Sequence, residues 1–264
     1  MYPDLFDVKG KVIGITGGGG YLGREMALGF SAAGADVFIC GRTEEKLKTV
    51  AENAKNSGFS GQIFYKALDV TDANSIALFL DHIQKERGFL SGWINNAASG
   101  VNQLLGEMNQ QSTFETIGSS LVQTMLITQA ASQRMIPSGQ GAIINIASMY
   151  GMVSPQPDLY ESCPQFHNPP AYGAAKAGII QFTRYAACHL AKHNIRVNCI
   201  SPGPFPTEKV QEQSQFIEEL KKRVPLHEIG KPKDLVGPAI FLISDASGYV
   251  TGHNLVVDGG WTAW

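Results

Sequence analysis

The sequence has little that would tie it to an extracellular, membrane or nucleic-acid setting. Its four cysteines show no CxxC spacing, and three lie in apolar or helical contexts where a thiol behaves as a small hydrophobe. No apolar run reaches the roughly 18–20 residues that a membrane helix needs. The formal net charge of -2 gives no electrostatic case for nucleic acid or an anionic membrane. The first residues carry Asp4 and Asp7 and lack the apolar region of a secretory signal. We therefore expect a reduced, cytoplasmic protein without nucleic-acid or membrane partners.

Metal-binding patterns are also scarce. His189 and His193 stand four residues apart on a predicted helix, but the segment HLAKH lacks the glutamate of the HExxH zinc motif. Surface or packing positions explain both imidazoles. A metal hydrolase is therefore disfavoured, and we expect no metal site.

Short apolar segments alternate with helix-length amphipathic segments along the 264 residues. The predicted strands span 11–16, 36–40, 62–68, 92–97, 142–148, 195–201 and 254–258. The predicted helices span 21–33, 44–57, 72–87, 112–136, 171–193 and 233–244. This alternation predicts a parallel sheet covered by helices on both faces. With right-handed crossovers, the expected fold is α/β: a doubly wound, seven-stranded, Rossmann-like sheet in a single domain over 1–264.

Two segments follow neither the helical nor the strand period. Residues 149–170 contain five prolines, and residues 202–232 contain another five. We expect both segments to be irregular. A loop as long as 149–170 inside a compact domain is usually functional or disordered.

The stretch ITGGGGYLG, residues 15–23, places a glycine-rich turn between a predicted strand and a predicted helix. Gly18, Gly20 and Gly23 satisfy G-x-G-x-x-G, in which glycines let the backbone approach a pyrophosphate at the helix N-terminus. A flexible loop without a ligand is the alternative. The cofactor contacts expected in this stretch are Gly17, Gly20, Tyr21 and Leu22.

The end of the second predicted strand bears on the choice of dinucleotide. An acidic residue usually stands there to bind the ribose 2′-hydroxyl of NAD, whereas this chain has Gly41 and Arg42. A guanidinium binds a phosphate bidentately, which favours the 2′-phosphate of NADP. The alternative is that Arg42 is merely solvated before a helix capped by Thr43, and NAD then remains the second candidate.

Tyr172 and Lys176 are four residues apart on a predicted helix and therefore share one face. A free tyrosine titrates near 10. An ammonium about 4 Å from the phenol would contribute roughly 4 kcal/mol at a dielectric of 20, enough to lower the phenol pKa by up to about three units. Ser148 ends the fifth predicted strand, at the edge where doubly wound folds bind ligands. Its hydroxyl can hold a substrate oxygen beside the phenol.

Taken in order, these segments resemble the short-chain dehydrogenase/reductase family, single-domain type, over essentially the whole chain. The matching pieces are the TG glycine loop, LDVTD (68–72), NNAA (95–98), Ser148, YGAAK (172–176), IRVNCISPGP (195–204) and TGHNLVVDGG (251–260). The resemblance implies an NAD(P)-dependent oxidoreductase that transfers hydride between the nicotinamide and a carbonyl or alcohol carbon.

The resemblance also implies residue roles. Tyr172 would be the acid/base and also contact the cofactor. Lys176 would lower the pKa of Tyr172 and bind the nicotinamide ribose, and Ser148 would orient the substrate. Further cofactor contacts would follow three strands: Asp69, Val70, Asn96, Ala97, Ala98, Pro202, Gly203, Phe205 and Thr207. Asp69 has the alternative role of starting the turn that follows it.

Three positions depart from the family pattern. Ser120 stands where the family usually has an asparagine that supports a proton relay, and we hypothesise that its hydroxyl substitutes. Ser148 and Tyr172 are separated by 24 residues (172 − 148) rather than by about a dozen. We interpret 149–170 as a substrate flap with Tyr160, Glu161, His167 and Asn168 as polar contacts, against an outward surface insertion.

Tyr21 is the third departure, because the single-domain pattern TGxxxGxG has glycine there. The form TGxxGxxG is common in extended members that act on nucleotide sugars, so an epimerase-like enzyme is one alternative. The chain length, the VDGG tail and the SPGP turn favour the single-domain type. We expect Tyr21 to have a negative φ and a ring that points away from the phosphates.

The opening segment and the ending DGGWTAW are similar to family members that act on gluconate or mannonate, which indicates a sugar, sugar acid or polyol substrate. Keto-acyl and steroid substrates remain alternatives, as does a non-catalytic NAD(P)-binding sensor or scaffold. Family members are commonly oligomers, so we expect a homotetramer or homodimer. The helices 112–136 and 171–193 would form one interface, and burial of Trp261 and Trp264 against a neighbour is weighed against packing within the subunit.

Overall fold

The computed structural model describes residues 2–161 and 163–264. Seven parallel strands form one sheet in the order β3-β2-β1-β4-β5-β6-β7. Their bounds are β1 Val12–Thr16, β2 Asp36–Gly41, β3 Ile63–Ala67, β4 Gly92–Asn95, β5 Gly141–Ile146, β6 Ile195–Pro202 and β7 Asn254–Val257. The predicted doubly wound, seven-stranded fold is confirmed.

Helices connect the strands and cover both faces of the sheet. Their bounds are α1 Tyr21–Ala32, α2 Glu44–Asn56, α3 Ala73–Arg87, α4 Gln110–Ile117, α5 Gln123–Met135, α6 Pro170–Leu190, α7 Glu208–Gln211, α8 Ser214–Lys222 and α9 Val236–Ile243. A π-helical turn, Gly118–Val122, joins α4 to α5. The single predicted helix 112–136 is therefore one helical run with a widened turn inside it.

Alternating strand residues divide the core into two layers. Ile13 and Ile15 of β1 pack with α1 and α9 on one face, whereas Val12 packs on the other face with α3, α5 and α6. Side chains of a strand point to opposite faces in turn, so each strand must be apolar on both sides. This explains the near-continuous apolar runs in the sequence.

The strand order reverses at β1, whose neighbours are β2 and β4. Parallel sheets of this type bind ligands at the carboxyl ends of the strands beside such a reversal. The glycine stretch after β1, the Gly41 end of β2 and the Asn96 end of β4 meet there. The sheet topology therefore brings together three segments that are far apart in sequence.

The expectation that 202–232 is wholly irregular is wrong, because α7 and α8 lie within it. Phe216, Ile217 and Leu220 of α8 face a third apolar cluster, which also contains Tyr150 and Trp261. Their spacing is a helical signal that the surrounding prolines obscured. The insert 149–170 contains short 3-10 turns, consistent with the absence of a period.

Within the described ranges, no helix is both long and apolar enough to span a membrane. The four cysteines are free, and Cys40, Cys163 and Cys199 are buried. The buried thiols pack as small apolar groups.

Candidate functional site

A cavity of about 810 Å³ opens at the carboxyl ends of β1, β2 and β4. Most of the residues predicted to contact a dinucleotide line it: Gly17, Gly20, Tyr21, Leu22, Gly41, Arg42, Asp69, Val70, Asn96, Ala97, Ala98, Phe205 and Thr207. Tyr172, Lys176, Pro202 and Gly203 are outside this lining. Gly203 instead packs against Asp258 at the end of β6.

Several lining residues were missed from the sequence. They come from the start of α2, from the loop after β4 and from the α4–α5 run, and they include Lys46, Ser99, Phe114, Glu115, Ser119 and Gln123. The helices themselves were predicted, but helical period alone does not show which residues reach a cavity formed by distant segments.

The glycine turn is shaped by close backbone approaches. Gly17 has a φ of +66°, a conformation that glycine adopts without strain. A Cβ at Gly18 would lie 2.4 Å from Ile39, and one at Gly23 would lie 2.3 Å from the Gly17 oxygen. These glycines are required for packing of β1, β2 and α1 against one another.

The N-terminus of α1 is available to a ligand. Its N-cap is Gly20, so no side chain caps the first turn. The uncapped N–H groups of such a turn, together with the helix dipole, form a site for an anion. The cavity lies against this turn, which fits the pyrophosphate of a dinucleotide.

Asn96 holds the glycine turn in place. Its Nδ2 donates to the carbonyl oxygens of Thr16 and Gly17 at 3.0 and 3.1 Å. The backbone N–H groups of Asn96 and Ala97 both donate to the Thr16 hydroxyl. The NNAA segment thus fixes the shape of the turn as well as lining the cavity.

Two cations and one carboxylate lie where the cavity meets the ends of β2 and β3, which is called the outer end of the cavity below. Arg42 and Lys46 are four residues apart and both line it. The Asp69 carboxylate accepts hydrogen bonds from the backbone N–H and hydroxyl of Thr71 at 2.9 Å. These bonds, and secondarily Arg42, lower the pKa of Asp69. Thr43 is the N-cap of α2 but makes no side-chain capping bond.

Ser148 and Tyr172 come together because glycines let their segments approach. A Cβ at Gly151 would lie 2.7 Å from the Lys176 carbonyl carbon, and one at Gly173 would lie 3.0 Å from the Tyr150 oxygen. The Ser148 hydroxyl accepts the Tyr150 N–H at 3.2 Å and lies near enough to the Tyr172 phenol to lower its pKa. Ser148 and Tyr172 are therefore neighbours in the folded chain although 24 residues separate them in the sequence.

Lys176 is buried beneath Tyr172. Its Nζ donates to the Ile146 carbonyl at 2.7 Å and lies 5.5 Å from the centre of the Tyr172 ring. Burial lowers the pKa of Lys176 to about 8. Burial also raises the pKa of Tyr172, and the nearby Ser148 hydroxyl opposes that rise. Desolvation is the largest cause at both groups, and the expectation that Lys176 lowers the phenol pKa stays a prediction.

The burial of Lys176 has a measurable consequence for stability. Below pH 8 the amine is charged in both states, and above pH 8 the folded chain releases a proton that the unfolded chain retains up to about pH 10.4. From pH 8 to 10 the free energy of unfolding should therefore rise, relative to Lys176→Met, by about 2–3 kcal/mol. Denaturant titrations of both proteins at several pH values measure this difference.

The comparison between variants is needed because other groups titrate in the same range. Burial raises the pKa values of Cys40 and Cys199 and gives the opposite slope, which both proteins share. Lys192→Met, at an exposed lysine, serves as the control and should follow the unaltered protein. A pH-independent difference between Lys176→Met and the unaltered chain would contradict the prediction.

Ser120 lies in the π-helical turn and is buried. Its hydroxyl donates to the Ser99 carbonyl at 3.3 Å, and its own carbonyl accepts the Thr124 hydroxyl at 2.7 Å. Ser120 is therefore bonded to Ser99, which lines the cavity, and to Thr124. Lys176, the other end of the expected relay, bonds to the Ile146 carbonyl instead. π turns are frequent at functional sites, but no direct bond joins Ser120 to the Ser148, Tyr172 and Lys176 group in the described chain.

The four insert residues predicted to contact substrate differ in their surroundings. Tyr160 is buried and its hydroxyl lies 2.5 Å from that of Tyr150, so it takes part in the packing of the insert. Asn168 donates to the Tyr160 hydroxyl at 3.4 Å. His167 packs edge-on against Tyr160, and its buried Nδ1 has no hydrogen-bond partner among the described residues. Glu161 is exposed.

The insert is fixed to α8 and the residue that follows it. Arg223 donates to the Asp158 carboxylate at 2.6 Å and to Gln156 at 2.9 Å. Leu159 and Cys163 join the apolar cluster of α8. Trp261 is buried in the same cluster, so packing within the subunit accounts for it, whereas Trp264 is 75% exposed.

Tyr21 is the first residue of α1 and has the negative φ expected of it. Its hydroxyl accepts a hydrogen bond from Gln211 at 3.0 Å. The ring therefore extends toward α7, on the far side of the cavity mouth, and not toward the insert.

The residues present fit a dinucleotide. The cavity volume, the uncapped start of α1 and the cations at the outer end match a pyrophosphate flanked by a nucleoside. When bound, the nicotinamide would supply hydride donation or acceptance. Gly17, Gly20 and Leu22 would hold the pyrophosphate.

Comparison with known proteins agrees with this geometry. A family model described as "Enoyl-(Acyl carrier protein) reductase" matches residues 20–262. A 5-keto-D-gluconate 5-reductase of Escherichia coli K12 is 34% identical over 260 residues, which cover 97% of each chain. A 2-dehydro-3-deoxy-D-gluconate 5-dehydrogenase of the same organism is 34% identical over 268 residues and 100% of each chain.

A solved structure is also similar to this chain over its full length. A crystal structure of a gluconate 5-dehydrogenase from Burkholderia cenocepacia, in complex with NADP and tartrate, aligns with a TM-score of 0.88 at 28% identity over 100% of both chains. The glycine turn, the parallel sheet and the grouping of Ser148, Tyr172 and Lys176 are thus accompanied by full-length similarity. The chain belongs to the short-chain dehydrogenase/reductase family of NAD(P)-binding oxidoreductases.

Proposed function

We propose that this enzyme interconverts a ketone and a secondary alcohol on a sugar acid, with NADP as its preferred cofactor. The observation that carries the proposal is the grouping of Ser148 and Tyr172 above buried Lys176, whose Nζ lies 5.5 Å from the centre of the Tyr172 ring. This arrangement supplies a proton donor, a group that fixes the substrate oxygen and a cation in one place.

Each of the three side chains has a distinct task. Tyr172 gives its proton to the substrate oxygen during reduction and takes it back during oxidation. Its raised pKa keeps the phenol protonated in the free chain, which suits the reductive direction. Ser148 holds the substrate oxygen beside the phenol. Lys176 places a positive charge under the ring and stabilises the phenolate left after proton transfer.

The substrate class rests on the relatives and on the insert. The two curated relatives are named for keto- and deoxy-gluconates. Their names support a polyhydroxylated, carboxylate-bearing substrate for this chain. Within the part of the chain that the structure describes, the buried Nδ1 of His167 has no hydrogen-bond partner, and such an atom is usually satisfied by a ligand or water. We assign His167 and Asn168 as substrate contacts, with the rest of the insert as their support.

The preference for NADP rests on charge at the outer end of the cavity. Arg42 is exposed there, and Lys46 lines the same wall one helical turn later. No carboxylate stands at position 41 or 42 to bind a ribose 2′-hydroxyl. The two cations together can bind a 2′-phosphate, with the guanidinium giving paired hydrogen bonds.

The test is turnover of a defined substrate set with NADPH and NADH. We expect NADPH oxidation with 5-keto-gluconate or a related keto-sugar acid, and much slower turnover with acetoacetyl thioesters and steroid ketones. Dinucleotide binding without any turnover would favour the sensor alternative. Rapid turnover of the thioester alone would overturn the sugar-acid assignment.

We further propose assembly into a homodimer or homotetramer through the α4–α6 side. Exposed apolar side chains gather on this side: Val122, Met125, Leu126 and Tyr185. Monomers rarely leave such large apolar groups clustered at the surface. Sedimentation at several protein concentrations measures the assembly state, and a monomer at high concentration would contradict it.

A further inference from the structure

Tyr21 joins the start of α1 to α7 across the mouth of the dinucleotide cavity. Gln211 uses its Nε2 to donate to both the Tyr21 hydroxyl, at 3.0 Å, and the Pro206 carbonyl, at 2.9 Å. Tyr21 lines the cavity from one side, and Phe205 and Thr207 line it from the other. One amide side chain therefore connects the two sides.

A second contact lies one turn further along α1. The Arg24 guanidinium donates to the Glu208 carboxylate at 2.7 Å, and its central carbon lies 5.7 Å from the centre of the Tyr21 ring. Both side chains of this ion pair are substantially exposed, so alone it contributes little. Because Arg24 contacts both Glu208 of α7 and the Tyr21 ring, it helps to hold the ring next to α7.

The segment 205–211 contacts α1 through its second half, at Glu208 and Gln211. Its first residue packs its ring against Gly230, and Val210 packs at the edge of the α8 cluster. α7 itself has only four residues, and a helix that short is marginal without tertiary support. Contact with α1 supplies that support.

We propose that Tyr21 is a positioning residue for cofactor retention: through Gln211 it holds segment 205–211 across the cavity and slows release of the bound dinucleotide. The inference rests on the proposed function in that NADPH is taken as the occupant. It also gives a reason for a tyrosine at a position where a smaller residue would leave α7 unsupported.

The test is the rate of NADPH release from Tyr21→Phe, followed by stopped-flow fluorescence after dilution into excess NADP. Loss of one hydrogen bond predicts release about 2- to 10-fold faster. Gln211→Met removes the bond to Tyr21 together with the bond to Pro206, so release should be at least as fast as in Tyr21→Phe. The double variant should be no faster than Gln211→Met, because the Tyr21 bond is already absent from it. Tyr249→Phe, at a fully exposed tyrosine, is the matched control.

A cofactor-free measurement separates this inference from the proposed function. The N–H groups of Val210 and Gln211 donate to the Thr207 carbonyl, and their hydrogen exchange should be faster in Tyr21→Phe without any ligand. Unchanged release together with unchanged exchange, or effects that add in the double variant, would overturn the inference. Failure of the unaltered protein to bind either dinucleotide would instead overturn the proposed function, whatever the exchange result.

Discussion

Replacing Tyr172 with phenylalanine is expected to lower kcat by about 10²- to 10⁴-fold, the range that a general acid contributes. The ring would remain packed over Lys176, whose Nζ lies 5.5 Å from its centre, while the proton that reaches the substrate oxygen would be lost. The affinity for NADPH should stay close to that of the unaltered enzyme, because Tyr172 lies outside the lining of the large cavity. Turnover and fluorescence titration measure the two effects separately.

The control for this variant is Tyr185→Phe on the same helix. Tyr185 is 68% exposed and stacks on His189 rather than on the active-site group. Its hydroxyl should be dispensable for both turnover and cofactor binding. A Tyr172→Phe enzyme that retains more than about a tenth of the activity would remove Tyr172 from the role of proton donor.

Replacing Arg42 with alanine is expected to weaken NADPH binding by about 10- to 150-fold, the effect of losing hydrogen bonds between a cation and a phosphate. The affinity for NADH should change little, because NADH has no 2′-phosphate. The preference for NADPH over NADH should therefore fall or reverse. Lys46→Ala should act in the same direction with a smaller effect, since an ammonium lacks the paired donors of a guanidinium.

Arg184→Ala provides the matched surface control. Arg184 is exposed on α6, where it donates to Gln181 at 2.9 Å, outside the cavity lining. If Arg42→Ala weakened the binding of NADPH and of NADH equally, Arg42 would shape the cavity and not bind the 2′-phosphate. Tighter binding of NADH than of NADPH by the unaltered enzyme would contradict the NADP assignment.

Prediction from the sequence was most successful where the signal is local and periodic. All seven strands and the six predicted helices are present, because apolar alternation directly reflects which side of an element is buried. Helix α8 was missed, although Phe216, Ile217 and Leu220 carry the helical spacing, because the flanking prolines dominated the interpretation. The π turn at Ser120 was also missed, because a shift of helical phase inside the predicted helix 112–136 is harder to detect than the helix itself.

The pKa values of Tyr172 and Lys176 were harder to predict from the sequence than the positions of these two residues. The spacing of Tyr172 and Lys176 placed them on one face, but their pKa shifts depend on how much water the fold removes from each. Burial raises the pKa of the phenol and lowers the pKa of the amine to about 8. Sequence spacing specifies a distance along a helix and carries no measure of desolvation.

The sequence by itself determined the doubly wound architecture, the glycine turn and the residue types of the active-site group, since these follow from local pattern and short spacing. Only the tertiary structure decided how distant segments meet. It paired Tyr160 with Tyr150 inside the insert, bound the insert to Arg223, and brought Tyr21 to Gln211 across 190 positions. Such contacts join segments with no shared period, so they are fixed by the packing of the whole chain and cannot be read from any one stretch of it.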